Sequence, residues 1–93
     1  MSIHNTVYEA NKSYADNIQD TLNKYMDQHG YKTRAEFLQD FNKSIPDSPV
    51  APSTFRVWLK GNSIPNLYYL VKLADFMRID IYDLIYNRRG VDE

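Results

Sequence analysis

The sequence predicts an all-α fold, and three observations carry that reading. Apolar residues recur at spacings of three and four, two Thr-x-x-Glu signatures stand where helices would open, and glycines and prolines fall between the periodic stretches. A chain of 93 residues makes one domain with one modest core. Five helices and no strand are expected.

In the first element, Thr6 and Glu9 pair a cap hydroxyl with a carboxylate three residues on, which satisfies amides that a first helical turn leaves without partners. Tyr14, Ile18, Leu22, Tyr25 and Met26 then form one face of a helix that should stop at Gly30. This helix either runs unbroken from Thr6 or restarts at Ser13, with Asp16 in the third helical position; both patterns fit. Thr33 and Glu36 repeat the signature and open a short second helix, about Arg34 to Asn42, that buries Phe37, Leu38 and Phe41. Pro46, Pro49 and Pro52 exclude a helix interior from Ile45 to Pro52, so a loop is expected there.

Pro52 suits the first turn of a third helix, where its missing N–H would have no partner in any case. That helix, Ala51–Lys60, turns Phe55, Trp58 and Leu59 inward and ends at Gly61. Asn66 caps a fourth helix with Leu67, Leu70, Val71, Leu73, Ala74 and Met77 as its apolar stripe. Asp80 caps a fifth, Ile81–Tyr86, with Asp83 in the third helical position and Ile81, Leu84 and Ile85 facing inward.

Composition narrows the function. The formal net charge is −1, but its distribution is uneven. Lys32, Arg34, Lys43, Arg56, Lys60 and Lys72 face only Glu36, Asp40 and Asp47 in the middle of the chain, while both flanks hold an acidic excess. A positive middle between negative ends favours phosphate on one face. Scattered solvated charges would give the same totals. No cysteine is present, so disulfides and thiolate zinc sites are excluded, and a reducing cytoplasm is compatible. Met1–Asn11 has neither a basic start nor an apolar run and does not read as a signal peptide. The apolar stretch Ile64–Tyr86 is broken by Lys72, Asp75, Arg78, Asp80 and Asp83, so no membrane span is expected. His4 and His29 have no nucleophile or metal partner in the pattern, and the glycines do not form a phosphate-binding loop. Neither enzymatic activity, nor a cofactor, nor a metal is expected.

The order of residues is more specific than their periodicity. Ser53-Thr54-Phe55-Arg56-Val57-Trp58-Leu59-Lys60-Gly61-Asn62, then Ile64-Pro65-Asn66-Leu67, then Leu70–Met77 and Ile79–Ile85, resembles the second half of the lambda-repressor-like domain (Cro/repressor or XRE type). That family runs Ser-Thr-apolar, places Trp two residues before Lys or Arg and Gly, then has Pro, Leu-Ala, and a short Asp-capped helix. The resemblance spans about Asp20 to Tyr86 and is densest over Ser53–Ile85. It implies a compact five-helix helix-turn-helix domain over residues 14–87, an N-terminal helical extension over 1–13, and a frayed tail over 88–93.

Three departures stand out. About seven extra residues within Asn42–Val50 expand the turn between the second and third helices. Leu38 stands near a place where a small residue is common. Met26 and Leu59 occupy the positions where the family often buries an Arg–Glu pair, an exchange of both charges that leaves neither one stranded.

The resemblance further implies a sequence-specific, double-stranded-DNA-binding transcriptional regulator, repressor-like, from a bacterium, phage or mobile element. Its third helix would enter the major groove. Pro52, Ser53, Thr54, Arg56 and Val57 are then the base-reading candidates, with Ser53 and Thr54 alternatively capping the helix. Arg34, Lys43 (in the long loop), Arg56, Lys60 and Asn62 are the phosphate candidates. Trp58 is expected in the core. Tyr82 and Tyr86 lie off the inner face of the last helix, to cover either a partner or the N-terminal extension. A weak homodimer through Tyr82, Tyr86 or Ile3–Tyr14 is expected. The competing reading is a protein-interaction module, with a regulatory protein partner, that keeps the fold without binding DNA.

Overall fold

The computed structural model describes residues 3–86, with side chains from Ser13 onward. It contains α1 (Ile3–Gln28), α2 (Arg34–Ser44), α3 (Pro52–Leu59), α4 (Leu67–Met77) and α5 (Ile81–Tyr86), and no strand among the described residues. The all-α, five-helix expectation holds. The expected frayed tail over 88–93 lies outside the described residues.

α1 is one unbroken rod of 26 residues, which settles the choice between a continuous helix and a restart at Ser13. It also corrects the reading of Thr6 as a cap. The helix is already running at Ile3, because no glycine or proline keeps the preceding residues out of it. At 1.5 Å per residue the rod is about 39 Å long, close to the 44 Å long axis of the molecule. Its inner face carries Ala15, Ile18, Leu22 and Met26, all buried. It ends in a paired C-terminal turn, with Tyr31 N–H donating to the Met26 carbonyl and Gly30 at φ +74°.

Packing centres on Phe37 of α2, which is wholly buried. Its ring lies within 5.4–6.3 Å of those of Tyr31, Phe76, Phe55, Tyr25 and Phe41, so one side chain joins α1, α2, α3 and α4. α2 begins with the expected capping box between Thr33 and Glu36. It runs two residues beyond the expected Asn42, to Ser44. Lys43 therefore stands in its last turn and not in the loop, since nothing before Pro46 interrupts the helix. The Tyr31 hydroxyl donates to the Asp40 carboxylate at 2.9 Å. Partial burial, then that bond and its negative charge, push the phenol up to about 12.

In α4, Leu70, Leu73, Ala74 and Met77 are buried as expected, but Leu67 and Val71 are not. Leu67 lies in the first turn, beyond the edge of the core, and is 70% exposed. Tyr69 and Phe76 pack against the core on the other flank of the stripe, so the helix is turned away from Val71, which is exposed. α5 is capped by Asp80, whose carboxylate accepts from Tyr82 N–H at 2.8 Å. It buries Leu84 fully and packs most extensively on α1, where the Asn17 amide donates to the Ile85 carbonyl at 2.9 Å.

Met26 and Leu59 are both buried and belong to one apolar cluster, with α1 packed on α3. Leu59→Glu should strand one charge there and cost about 3–5 kcal/mol. Adding Met26→Arg should recover part of that loss in a double-mutant cycle of thermal melts. Strict additivity of the two changes would show that the residues do not touch.

Candidate nucleic-acid interface

α3 divides cleanly into two faces. Phe55, Trp58 and Leu59 are buried, whereas Pro52, Ser53, Thr54, Arg56, Val57 and Lys60 are exposed. All five base-reading candidates thus share the outer side of one eight-residue helix. Trp58 lies in the core, edge-on to Phe55 and 5.5 Å from the ring of Tyr69.

The helix start is unusual. Its cap is Ala51, whose side chain makes no cap hydrogen bond, and Pro52 removes one donor from the first turn. Neither Ser53 nor Thr54 supplies the cap, so the capping alternative for these two hydroxyls is overturned. The far end closes as expected, with Asn62 N–H donating to the Val57 carbonyl at 3.1 Å and Gly61 at φ +71°. A Cβ on Gly61 would also come within 3.0 Å of Gln19 Oε1 on α1.

Of the phosphate candidates, Arg34, Lys43, Arg56, Lys60 and Asn62 are all exposed. Arg34 and Arg56 both border the hollow between α2 and α3, and Lys60 stands one turn beyond Arg56. Among the described residues, none of Arg34, Arg56 and Lys60 is ion-paired. Lys43 stands at the opposite end of α2 from Arg34, and Asn62 lies beyond α3.

Two features escaped the sequence reading. The connection over 45–51 is firmly held. Ile45 and Val50 are buried, the Asn42 amide both donates to and accepts from the Val50 backbone (3.0 and 2.9 Å), and the Tyr69 hydroxyl donates to the Ser48 carbonyl at 3.1 Å. Beside it, α2 and α3 leave a hollow of about 500 Å3 floored by Leu38 and Phe55. The long turn and the bulk of Leu38 were the signals in the sequence, but neither specifies a gap without the helix positions.

Tyr82 and Tyr86 are exposed and stacked on each other at 5.8 Å. Tyr86 also meets Tyr14 of α1 edge-on at 5.5 Å, and the neighbouring Tyr14 hydroxyl raises its pKa. Tyr86 thus contacts α1 at the residue just after the expected extension over 1–13. No group of His, Cys, Asp or Glu among the described residues is arranged to hold a metal ion, and no helix is long and apolar enough to cross a membrane.

The chain matches no protein-family model, no curated protein and no solved structure with which it was compared.

Asn42→Ala should break both bonds to Val50 and leave buried backbone groups without partners, at a cost of about 1–3 kcal/mol in urea unfolding. A change below about 0.5 kcal/mol would mean that packing of Ile45 and Val50 alone holds the loop.

Proposed function

We propose that this chain is a sequence-specific, double-stranded-DNA-binding transcriptional regulator, repressor-like and of the lambda-repressor (Cro/repressor, XRE) kind, that reads the major groove with α3 and works in the cytoplasm. The division of α3 into a buried aromatic face and an exposed polar face is the observation that carries this reading. A helix of this kind can be pressed into a groove without disturbing the core behind it. Ser53 and Thr54, with hydroxyls free of capping duty, can donate to or accept from base edges, and Val57 and the Thr54 methyl can pack on a thymine methyl. Arg34, Arg56 and Lys60 bring unpaired positive charge to the same side, for phosphate.

The roles separate in binding measurements. Lys60→Ala should weaken binding to all duplexes about equally and lower the salt slope by about one counterion. Thr54→Ala should cost about 1 kcal/mol or more on the preferred site alone. Arg56→Ala distinguishes a base reader, with loss confined to one sequence, from a phosphate clamp, with uniform loss. Selection from random duplexes supplies the preferred site, and failure to enrich any sequence would sink the proposal. If both Thr54→Ala and Lys60→Ala bind that site like the parent, α3 is not the reading helix.

Domains of this kind commonly bind two half-sites as dimers. A weak dimer through the exposed Tyr82–Tyr86 stack is part of the proposal, with Tyr86 also engaged by Tyr14 of the same chain. Sedimentation should show two protomers on a duplex with two half-sites. A strict monomer, free and on that duplex, removes the dimer and leaves the DNA reading standing.

A further inference from the structure

The hollow between α2 and α3 has features that a phosphate backbone does not use. Its floor is apolar, formed by the buried faces of Leu38 and Phe55, with Ala35 and Pro52 at its edges. Of the two amides that line it, Asn42 spends both its donor and its acceptor on the Val50 backbone, and Gln39 is exposed at the rim and not part of the floor. Charge is confined to the rim, where Arg34 and Arg56 are exposed and, among the described residues, meet no carboxylate. A small polar ligand would find nothing in the floor to orient it. An apolar anchor with carboxylates on either side of it matches both parts, because apolar pockets ringed by arginine are how protein partners are commonly held.

We propose that this hollow is a docking site for an acidic protein segment, which seats one apolar side chain against Leu38 and Phe55 and sets carboxylates against Arg34 and Arg56. Rim guanidiniums suit carboxylates because both are planar and pair through two parallel N–H···O bonds. That such a partner would also displace DNA rests on the function proposed above, since it occupies two of the same cations.

The test is NMR titration of the full chain with short peptides in which Leu, Phe, Ile or Trp is flanked on each side by glutamates. The same protein is titrated separately with duplex DNA. Peptide should shift the amides of Ala35, Leu38, Phe55 and Arg56. Replacing the apolar residue by Ser should weaken binding about tenfold, as should Arg34→Gln combined with Arg56→Gln. Ala35→Tyr, a change at an exposed rim position that fills the hollow, should abolish the shifts in a chain whose helix content and melt are those of the parent.

The proposal is overturned by the absence of shifts at about 1 mM peptide, by equal binding of the Ser peptide, or by unchanged shifts in Ala35→Tyr. The Ser-peptide comparison uses the parent protein and holds even if a variant fails to fold. Concentration-dependent shifts of these amides in protein alone would assign the hollow to a second copy and overturn it as well. Peptide binding without duplex binding keeps the docking site and removes the DNA reading; duplex binding without peptide binding does the reverse.

Discussion

Everything in this small domain leans on Phe37. A chain of this length cannot build several independent cores, so its helices must share one set of contacts. Phe37 supplies that set, with rings from α1, the α1–α2 turn, α2 itself, α3 and α4 around it. Edge-to-face contacts with Tyr25, Tyr31 and Phe76, and near-parallel ones with Phe41 and Phe55, fix its orientation as well as its depth. The outer face of α3 is backed by Phe55, which packs into this cluster. The exposed side chains of α3 are thus positioned by the same few residues that hold the fold.

The second organising constraint is the seven-residue connection over 45–51. A loop of that length with no regular structure could leave α3 free to swing. Here two apolar anchors and two side-chain clamps hold it: Ile45 and Val50 are buried, Asn42 binds Val50, and Tyr69 reaches Ser48. Across this connection α2 and α3 stand apart. The separation creates the hollow, and Arg34 and Arg56 end on its rim because they start one helix and sit mid-way along the other.

Much of the architecture was legible in the sequence because its signals are local. The Thr33–Glu36 capping box, Gly30 and Gly61 in left-handed turns, Pro52 in a first turn, and Asn66 and Asp80 as caps each act within a few residues and were read correctly. Thr6 failed because a capping box marks a helix start only when the residues before it are held out of the helix. Leu67 and Val71 failed because periodicity gives a stripe but not which flank of it the neighbouring helices cover. The outward set on α3 was readable by difference from the inward aromatics. The hollow was not, since a gap between two helices depends on their relative position, which no spacing along one chain encodes. Arg78, a non-glycine residue at φ 59° where α4 ends, was also invisible, because side chains rarely adopt that conformation.

One further property follows from where the single tryptophan sits. Trp58 is on the inner side of α3, sealed from water, with Phe55 beside it and Tyr69 at 5.5 Å. Tyr69 is also the residue that holds the 45–51 connection through Ser48. The indole emission of this protein therefore comes from one chromophore at the back of the helix that carries the candidate reading residues. Light absorbed by Tyr69 passes to it most efficiently while α3, α4 and the connection hold the two rings at this separation. The unlabelled molecule thus contains its own optical gauge of that helix's seat, and any ligand that rocks α3 has to alter the colour or yield of a single fluorophore.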